Sequence, residues 1–427
     1  MSGLFAGIDF GTSGCRGIVI DGTGKLVAGH GEPMPPPHRN DDSIRQDPEI
    51  WWQAFLRVAA ALAAQVDLAA VRALAIDGTS GTFTLVDRDG RPVVDALMYN
   101  DTSGRAEAAA ILAVCPRDSA ATGSSSPLAR LLHLRRREQI DLDGLRLLHQ
   151  ADWIAGRLAQ RFDRSDESNS LKLGYDPIAR RWPDWLIALG IPAGLLPTVV
   201  PCGAPTGPVG PAGRALGFSA DLQLVAGTTD GVASFLATGA DMVGDGVTAL
   251  GSTLVIKQLC ARPIFAAEYG IYSHRIGELW LAGGASNAGG AALAAQFDAP
   301  TIERLSAAID PDRPSGLDYY PLVGRGERFP IADPDLEPRL SPRPKDDVLF
   351  LQGMLEGIAA VERLAYRRLG QLGAPPLTKV RTVGGGAGNA AWSALRRRAL
   401  GVDLLPAAQN EAAYGSALLA LRAVEGR

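Results

Sequence analysis

Cysteine, histidine and excess charge are all scarce in this sequence. Its 427 residues include 4 cysteines and 5 histidines, with no CxxC pair and no His/Cys spacing of the kind that binds zinc. The 42 Lys and Arg residues nearly balance the 46 Asp and Glu residues, which gives a net charge of −4. We therefore expect no disulfide framework, no zinc site, and no basic surface for nucleic acid or anionic membranes.

Long apolar runs and two common nucleotide motifs are also missing. No stretch approaches about 18 uninterrupted apolar residues, and the N-terminal sequence lacks the basic start and apolar core of an export signal, so we expect a cytoplasmic protein. No GxxxxGK[ST] motif occurs, which excludes a P-loop kinase. The segment 244–249 matches GxGxxA but leads into a strand-like run rather than a helix, so we interpret it as a turn.

Glycine is abundant and is grouped in short runs. It supplies 50 of 427 residues, about 12% against a usual ~7%. The repeated order of apolar strand, glycine turn and helix predicts an α/β fold, and the length predicts two domains. The pattern of strand, Gly-Thr-Ser turn and strand near the N-terminus returns at Val247 in altered form, with a Gly-Ser-Thr turn, which indicates an internal duplication. We place the first domain at 1–237, the second at 238–410, and a last helix at 411–427 that returns to the first domain.

Two glycine turns are candidate phosphate sites. Asp9 ends an apolar strand and is followed by the turn Gly11-Thr12-Ser13, whose backbone N–H groups have no large side chain in front of them. Gly251-Ser252-Thr253 is a similar turn without the carboxylate. For each turn the alternative is a hairpin that binds no ligand.

A third glycine segment and a second carboxylate complete the set. Gly384 to Asn389 follows an apolar strand and opens a helix that contains Trp392, an arrangement that suits a nucleotide. Asp230 ends another apolar strand directly before a helix. An aspartate in this position is either a helix N-cap or the general base that phosphoryl transfer to a hydroxyl requires.

Together these segments resemble the FGGY carbohydrate kinases, a branch of the actin-like, ribonuclease-H-like ATPase superfamily. The resemblance runs nearly end to end and rests on five motifs: DFGTSG at 9–14, GTTDG at 227–231, LGST at 250–253, GGGAGNAAW at 384–392 and EAAYGSALLA at 411–420. It implies two duplicated α/β domains flanking a catalytic cleft. It also implies ATP and Mg²⁺ as cofactors and a small sugar or polyol as the partner.

The resemblance further implies roles for individual residues. Asp230 is the base, Asp9 organises Mg²⁺ and the sugar, and both carboxylates are candidate metal ligands. Ser13 and Ser80 are candidate partners of the sugar hydroxyls, although Ser80 is alternatively a simple turn residue. The candidate ATP-binding residues are Gly11, Thr12, Gly251, Thr253, Gly384, Gly385, Gly386, Asn389 and Trp392. Asn389 and Trp392 are expected to flank the adenine, and a core aromatic is the alternative for Trp392.

Within the family the sequence is most similar to the plant and cyanobacterial branch regarded as D-ribulose kinases. The shared segments are 78–80, 97–101, 149–153, 171–176 and 283–287. Xylulose and glycerol kinases usually have Asp followed directly by Gly-Arg or Arg-Arg where this chain reads Asn-Asp-Thr-Ser at 100–103. The similarity implies transfer to the terminal hydroxyl of a ketopentose, giving D-ribulose 5-phosphate.

Several alternatives stay open at this level. D-xylulose, L-ribulose, ribitol and glycerol are other acceptors, and an actin-like ATPase switch without sugar kinase activity is a different class of function. Lys172 is either a sugar contact or a solvated loop residue. The arginine runs 135–137 and 396–398 indicate solvated helix faces. The oligomeric state is not determined by the sequence.

Overall fold

The computed structural model describes residues 3–123 and 126–426, which form two compact units. Unit 1 consists of Met1–Ala237 with Glu411–Arg427, and unit 2 is Thr238–Asn410. In the described parts of the chain, no helix is both long enough and apolar enough to span a bilayer.

The described residues of unit 1 form fourteen strands and nine α-helices. The strands are β1 (Leu4–Phe10), β2 (Gly14–Ile20), β3 (Leu26–Pro33), β4 (His38–Asn40), β5 (Ser43–Gln46), β6 (Val71–Gly78), β7 (Phe83–Val86), β8 (Ala96–Leu97), β9 (Arg146–His149), β10 (Arg164–Asp166), β11 (Thr198–Val200), β12 (Pro205–Pro208), β13 (Gln223–Val225) and β14 (Thr228–Thr229). The helices are α1 (Pro48–Ala63), α2 (Ala108–Leu112), α3 (Pro127–Arg136), α4 (Gln150–Ala159), α5 (Glu167–Ser170), α6 (Trp185–Ala188), α7 (Pro211–Ala215), α8 (Asp230–Ala237) and, after unit 2, α13 (Ala412–Glu425).

The main sheet of unit 1 has the order β12-β13-β6-β1-β2-β3, with β14 also paired to β6. β1, β2 and β3 are antiparallel, whereas β1, β13 and β14 all run parallel to β6. The β1–β2 hairpin closes where the Gly11 N–H bonds to the Gly14 carbonyl at 3.0 Å. Because β1, β6 and β14 are parallel, their carboxyl ends meet at one edge of the sheet.

The last helix, α13, packs against β1 and α8 within unit 1. The two helices cross at Gly415, where a Cβ atom would lie 1.9 Å from the carbonyl oxygen of Ala233 in α8. Only glycine allows so close an approach of two helix backbones. α13 therefore buttresses both the strand that carries Asp9 and the helix that begins at Asp230.

Unit 2 contains six strands and four helices. They are β15 (Asp245–Leu250), β16 (Leu254–Cys260), β17 (Tyr272–Ile276), β18 (Leu279–Ser286), β19 (Lys379–Val383), β20 (Asp403–Pro406), α9 (Gly290–Ala294), α10 (Ala299–Ser306), α11 (Asp347–Gln371) and α12 (Ala390–Leu400). The sheet order is β17-β18-β16-β15-β19-β20. The segment 244–249, interpreted from the sequence as a turn, belongs to β15 from Asp245 onward, and only Gly244 lies in the turn before the strand.

The sheets of both units share one pattern. An antiparallel hairpin, β15–β16 in unit 2, is extended on one side by an antiparallel strand and on the other by two parallel strands, β19 and β20. Unit 1 repeats this with β1–β2 at the centre. The mixed α/β fold and its duplication agree with the expectation from the repeated strand and turn motif.

One arginine of the run 396–398 is buried, which corrects the prediction of a solvated face. The side chains of Arg396 on α12 and Glu362 on α11 are both 0% exposed and form a two-pronged ion pair at 2.6 and 2.7 Å. Thr248 on β15 also donates to Glu362 at 2.7 Å, and Arg396 donates to Thr382 on β19 at 2.9 Å. The arginine faces inward because it shares the buried side of α12 with Trp392.

Candidate active site

Three aspartates meet at the carboxyl edge of the unit 1 sheet. Asp9 on β1 lies opposite Asp77 on β6. On the other side of β6, Thr228 of β14 also lies opposite Asp77, and Asp230 follows as the first residue of α8. The topology thus brings together two predicted carboxylates and a third, Asp77, that the sequence analysis missed. The only sequence signal for Asp77 is an acidic residue at the end of an apolar run.

The carboxyl groups of Asp9 and Asp77 are buried side by side and each affects the pKa of the other. Asp77 is 0% exposed and Asp9 5%. Burial raises the pKa of both carboxyls, and the charge of Asp9 raises that of Asp77 well above its usual range. Ser416 of α13 donates to Asp77 Oδ2 at 2.6 Å, while Oδ1 accepts from no donor. We infer that Asp77 Oδ1 is protonated and that this O–H group donates a hydrogen bond to Asp9.

The cluster has little compensating positive charge. Arg16 Nη1 lies 3.5 Å from Asp9 Oδ2, and Arg16 Nε lies 3.5 Å from Glu411 Oε2, with the arginine side chain 46% exposed. An excess of carboxylates suits a divalent cation, which would lower their mutual repulsion. The described residues contain no set of three His, Cys, Asp or Glu side chains arranged to hold a metal. Mg²⁺ at this edge would thus need phosphate or water oxygens as well, as is usual for this ion.

Asp230 is held at the start of α8. Its Oδ1 accepts the Gly231 N–H at 2.7 Å, so the carboxylate faces the positive end of the helix. Behind it, Asn169 donates to the Thr228 carbonyl at 3.2 Å and to the buried carboxylate of Asp166 at 2.6 Å. This network, which the sequence did not predict, fixes the short strand β14 that precedes Asp230.

Asp77→Asn should stabilise the protein, and the gain should grow with pH. Asparagine can still accept from Ser416 and donate to Asp9. A raised pKa means that the folded state keeps a proton that the unfolded chain loses above pH ~4, so stability falls as pH rises from there towards the folded-state pKa. Each pH unit between the two pKa values lowers the free energy of unfolding by about 1.4 kcal/mol. Thermal unfolding in EDTA at pH 5 and pH 8 should show the larger gain at pH 8.

Asp21→Asn serves as a control, because the pKa of Asp21 is lowered whereas that of Asp77 is raised. Hydrogen bonds from Thr23 lower the pKa of this exposed turn aspartate, so its stabilising effect is present at neutral pH and lost in acid. The asparagine variant should therefore be slightly less stable than the parent at pH 8. If Asp77→Asn raised the melting temperature equally at both pH values, or lowered it at pH 8, the inferred proton on Asp77 would be contradicted.

The other predicted residues of unit 1 lie on turns at the strand ends. Thr12 and Ser13 form the tip of the β1–β2 hairpin, where Ser13 is exposed and its carbonyl accepts the Met34 N–H at 2.9 Å. Ser80 lies two residues beyond the end of β6, in a turn closed by the Thr82 N–H on the Thr79 carbonyl at 3.1 Å. Ser13 and Ser80 therefore follow the strands that carry Asp9 and Asp77.

In unit 2 the two predicted glycine segments touch. The turn Gly251–Thr253 joins β15 to β16. Gly384 has a φ of +88° and packs against Leu250, the last residue of β15. A Cβ atom on Gly384 would lie 2.7 Å from the Leu250 carbonyl oxygen. Gly384 and Gly385 are exposed, and the first turn of the segment, 385–388, is a 3₁₀ helix. The backbone of both segments is thus accessible beside the end of β15.

Asn389 and Trp392 lie at the start of α12, and the burial of Trp392 agrees with the alternative of a core aromatic. Asn389 caps α12 by accepting the Trp392 N–H at 2.9 Å and donates to Ser306 at 2.8 Å. Trp392 is 2% exposed, and its ring lies beneath Gly386 in the hydrophobic core of unit 2. The ring supports the glycine segment from inside because the third position of α12 faces the core.

Comparison with known families matches nearly the whole chain. Residues 4–237 match the model of the N-terminal domain of the FGGY family of carbohydrate kinases, and residues 241–424 match the model of its C-terminal domain. The xylulose kinase of Escherichia coli (strain K12) is 28% identical over 65% of this chain, and the match spans only 59% of that relative. A glycerol kinase of Polaromonas naphthalenivorans is 26% identical over 97% of this chain and 89% of its own.

Solved structures show the same fold. A xyloylose kinase from Brucella ovis superposes with a TM-score of 0.90 at 23% identity, covering 99% of this chain and 91% of its own. Plasmodium falciparum glycerol kinase with ADP has a TM-score of 0.87 at 14% identity, covering 100% and 90%. At these identities the agreement concerns the fold alone.

Proposed function

Because the chain belongs to the FGGY family of carbohydrate kinases, we propose that it transfers the γ-phosphate of ATP to a hydroxyl of a sugar. The observation that carries the proposal is the meeting of Asp9 and Asp230 at one sheet edge, beside the buried Asp77. Phosphoryl transfer to a hydroxyl needs positioning, charge neutralisation and one carboxylate that accepts a proton. Asp230, held at the start of a helix, suits the last task.

In the proposed reaction Asp230 accepts the proton of the attacking hydroxyl. The hydroxyl oxygen bonds to the γ-phosphorus as the bond to the β–γ bridging oxygen breaks, and ADP leaves with that electron pair. Asp9 and Asp230 would hold Mg²⁺, which supplies charge neutralisation at the phosphate oxygens when bound. Asp77 keeps the Asp9 carboxylate oriented by donating a hydrogen bond to it.

We assign the two hairpin turns to the phosphates of ATP. Gly11 and Thr12 in unit 1 and Gly251 and Thr253 in unit 2 lie in hairpin turns at strand ends, where the glycines place no side chain in the way of an anion. The segment Gly384–Gly386, whose first two glycines are exposed, is assigned to the ribose and phosphates. Ser13 and Ser80 remain the proposed partners of the sugar hydroxyls.

D-ribulose is the proposed acceptor, phosphorylated at its terminal hydroxyl. Support comes from the five segments shared with the D-ribulose kinase branch, one of which is the turn that carries Ser80 directly after Asp77. D-xylulose is the second candidate, because relatives matched by sequence and by structure are named as xylulose kinases. Both sugars are ketopentoses, and they differ in the configuration of one hydroxyl.

ADP formation with D-ribulose, L-ribulose, D-xylulose, ribitol and glycerol tests the proposal. We expect turnover that depends on a ketopentose, with the highest kcat/KM for D-ribulose, and a phosphosugar as product. A higher kcat/KM for D-xylulose would select the second candidate. ATP hydrolysis that no sugar changes, without a phosphosugar, would instead indicate an actin-like ATPase switch.

A further inference from the structure

Glu327 in unit 2 is a buried carboxylate that takes no part in the proposed chemistry. It is 2% exposed and lies in the long loop between α10 and α11. Its Oε2 accepts from the hydroxyls of Ser286 at 2.6 Å and Tyr320 at 2.9 Å. Its Oε1 accepts the N–H groups of Asn287 at 2.7 Å and Arg328 at 3.0 Å. Each of these partners is an uncharged N–H or O–H donor, and no ion pair to Glu327 is found among the described residues.

The residues that Glu327 holds lead directly to the turn Gly251–Thr253. Ser286 is the last residue of β18, and its hydroxyl also accepts the Ala288 N–H at 3.0 Å. A few residues further on, the Gly290 N–H donates to the Gly251 carbonyl at 2.8 Å and the Ala291 N–H to the Ser252 carbonyl at 3.1 Å. The carbonyl side of the turn is therefore tied to the segment that Glu327 anchors.

We propose that Glu327 is a positioning residue for nucleotide phosphates, acting through Ser286, Asn287 and the start of α9 on the turn Gly251–Thr253. The inference rests on the proposed function, since it assigns that turn to ATP phosphates. A turn binds an anion well only when its peptide groups are already oriented, because each reorientation on binding costs affinity. With its carbonyls tied from behind by Gly290 and Ala291, the turn is fixed before the ligand arrives.

The chemistry at this point calls for a carboxylate. Two carboxylate oxygens accept hydrogen bonds from all sides, whereas an amide has one accepting oxygen and an NH₂ group that only donates. In Glu327→Gln the NH₂ group would face either the Ser286 and Tyr320 hydroxyls or the Asn287 and Arg328 N–H groups. If the NH₂ group faces the two N–H groups, donor meets donor and that side of the anchor is lost. If it faces the hydroxyls, they must accept instead of donate, and the Ser286 proton loses its carboxylate acceptor. In both cases the charge is removed while the side-chain volume stays the same.

Calorimetric titration of Glu327→Gln with Mg-ADP and with adenosine tests the proposal. We expect Mg-ADP to bind to the variant roughly tenfold more weakly than to the parent, which corresponds to the loss of about one charge-assisted hydrogen bond. Adenosine should bind to both proteins equally. A purely structural role for Glu327 would weaken both ligands equally or lower only the melting temperature. Equal binding of Mg-ADP by variant and parent would overturn the inference.

Glu356→Gln is the matched control. Glu356 on α11 also anchors a loop serine, accepting the N–H of Ser315 at 3.2 Å and its hydroxyl at 2.5 Å, but Ser315 is not linked to the phosphate turn. This variant should bind both ligands like the parent. If Glu327→Gln fails to fold, Ser286→Ala replaces it, with a smaller loss of the same kind expected and unchanged Mg-ADP binding counting against the proposal. A parent protein that binds no Mg-ADP would contradict the proposed function itself.

Discussion

Asp230→Asn should lower sugar-dependent turnover by about 10²–10⁴-fold, the usual contribution of a general base. The substitution separates the two roles open to this residue. Asparagine caps helices about as well as aspartate, so the variant keeps the bond to the Gly231 N–H but has no carboxylate to accept a proton. Steady-state ADP formation with D-ribulose measures the loss. A variant with turnover near that of the parent would show that Asp230 is only a cap.

Two measurements make the result specific. The affinity for ADP measured in EDTA should change little, because Asp230 acts on the sugar hydroxyl and on Mg²⁺ and not on the nucleotide itself. The melting temperature should also stay close to that of the parent, since the helix start is preserved. As a control, Asp241→Asn replaces an exposed aspartate that follows α8 closely in the sequence, and its turnover should match the parent.

Gly415→Ala should destabilise the protein by about 1–3 kcal/mol, the range for overpacked sites. In an open helix the same change gains up to about 1 kcal/mol, because alanine is the better helix former. Here the new methyl group would lie 1.9 Å from the Ala233 carbonyl, so α13 and α8 must separate. Since α8 begins at Asp230 and α13 carries Ser416, the shift should also reduce turnover. Urea unfolding and ADP formation measure the two effects.

Gly370→Ala is the matched control for Gly415→Ala. Gly370 also lies within a helix, α11, but a Cβ atom there meets nothing within 4 Å. This variant should be as stable as the parent or more stable, with unchanged turnover. A Gly415→Ala protein that behaves like Gly370→Ala would show that the helix crossing tolerates a methyl group and does not fix the site.

The sequence by itself determined the local elements and the class of fold. A carboxylate followed by Gly11, Thr12 and Ser13 between two apolar runs forms a hairpin because a short glycine turn joins two strands whose apolar faces must be buried. The same reasoning places the turn Gly251–Thr253 between β15 and β16. Such signals are local, since they depend on backbone freedom and alternating burial within a few residues.

Only the tertiary structure decided which side chains meet and which are hidden. Asp77 enters the candidate site because β6 lies between β1 and β14, a pairing of segments far apart in the chain. Trp392 and Arg396 belong to the core because one face of α12 is buried in unit 2. Local sequence cannot reveal such placements, because burial and the charge of distant neighbours are set by packing. The carboxylate that best explains the chemistry was predicted from the sequence, whereas its surroundings were defined by the fold.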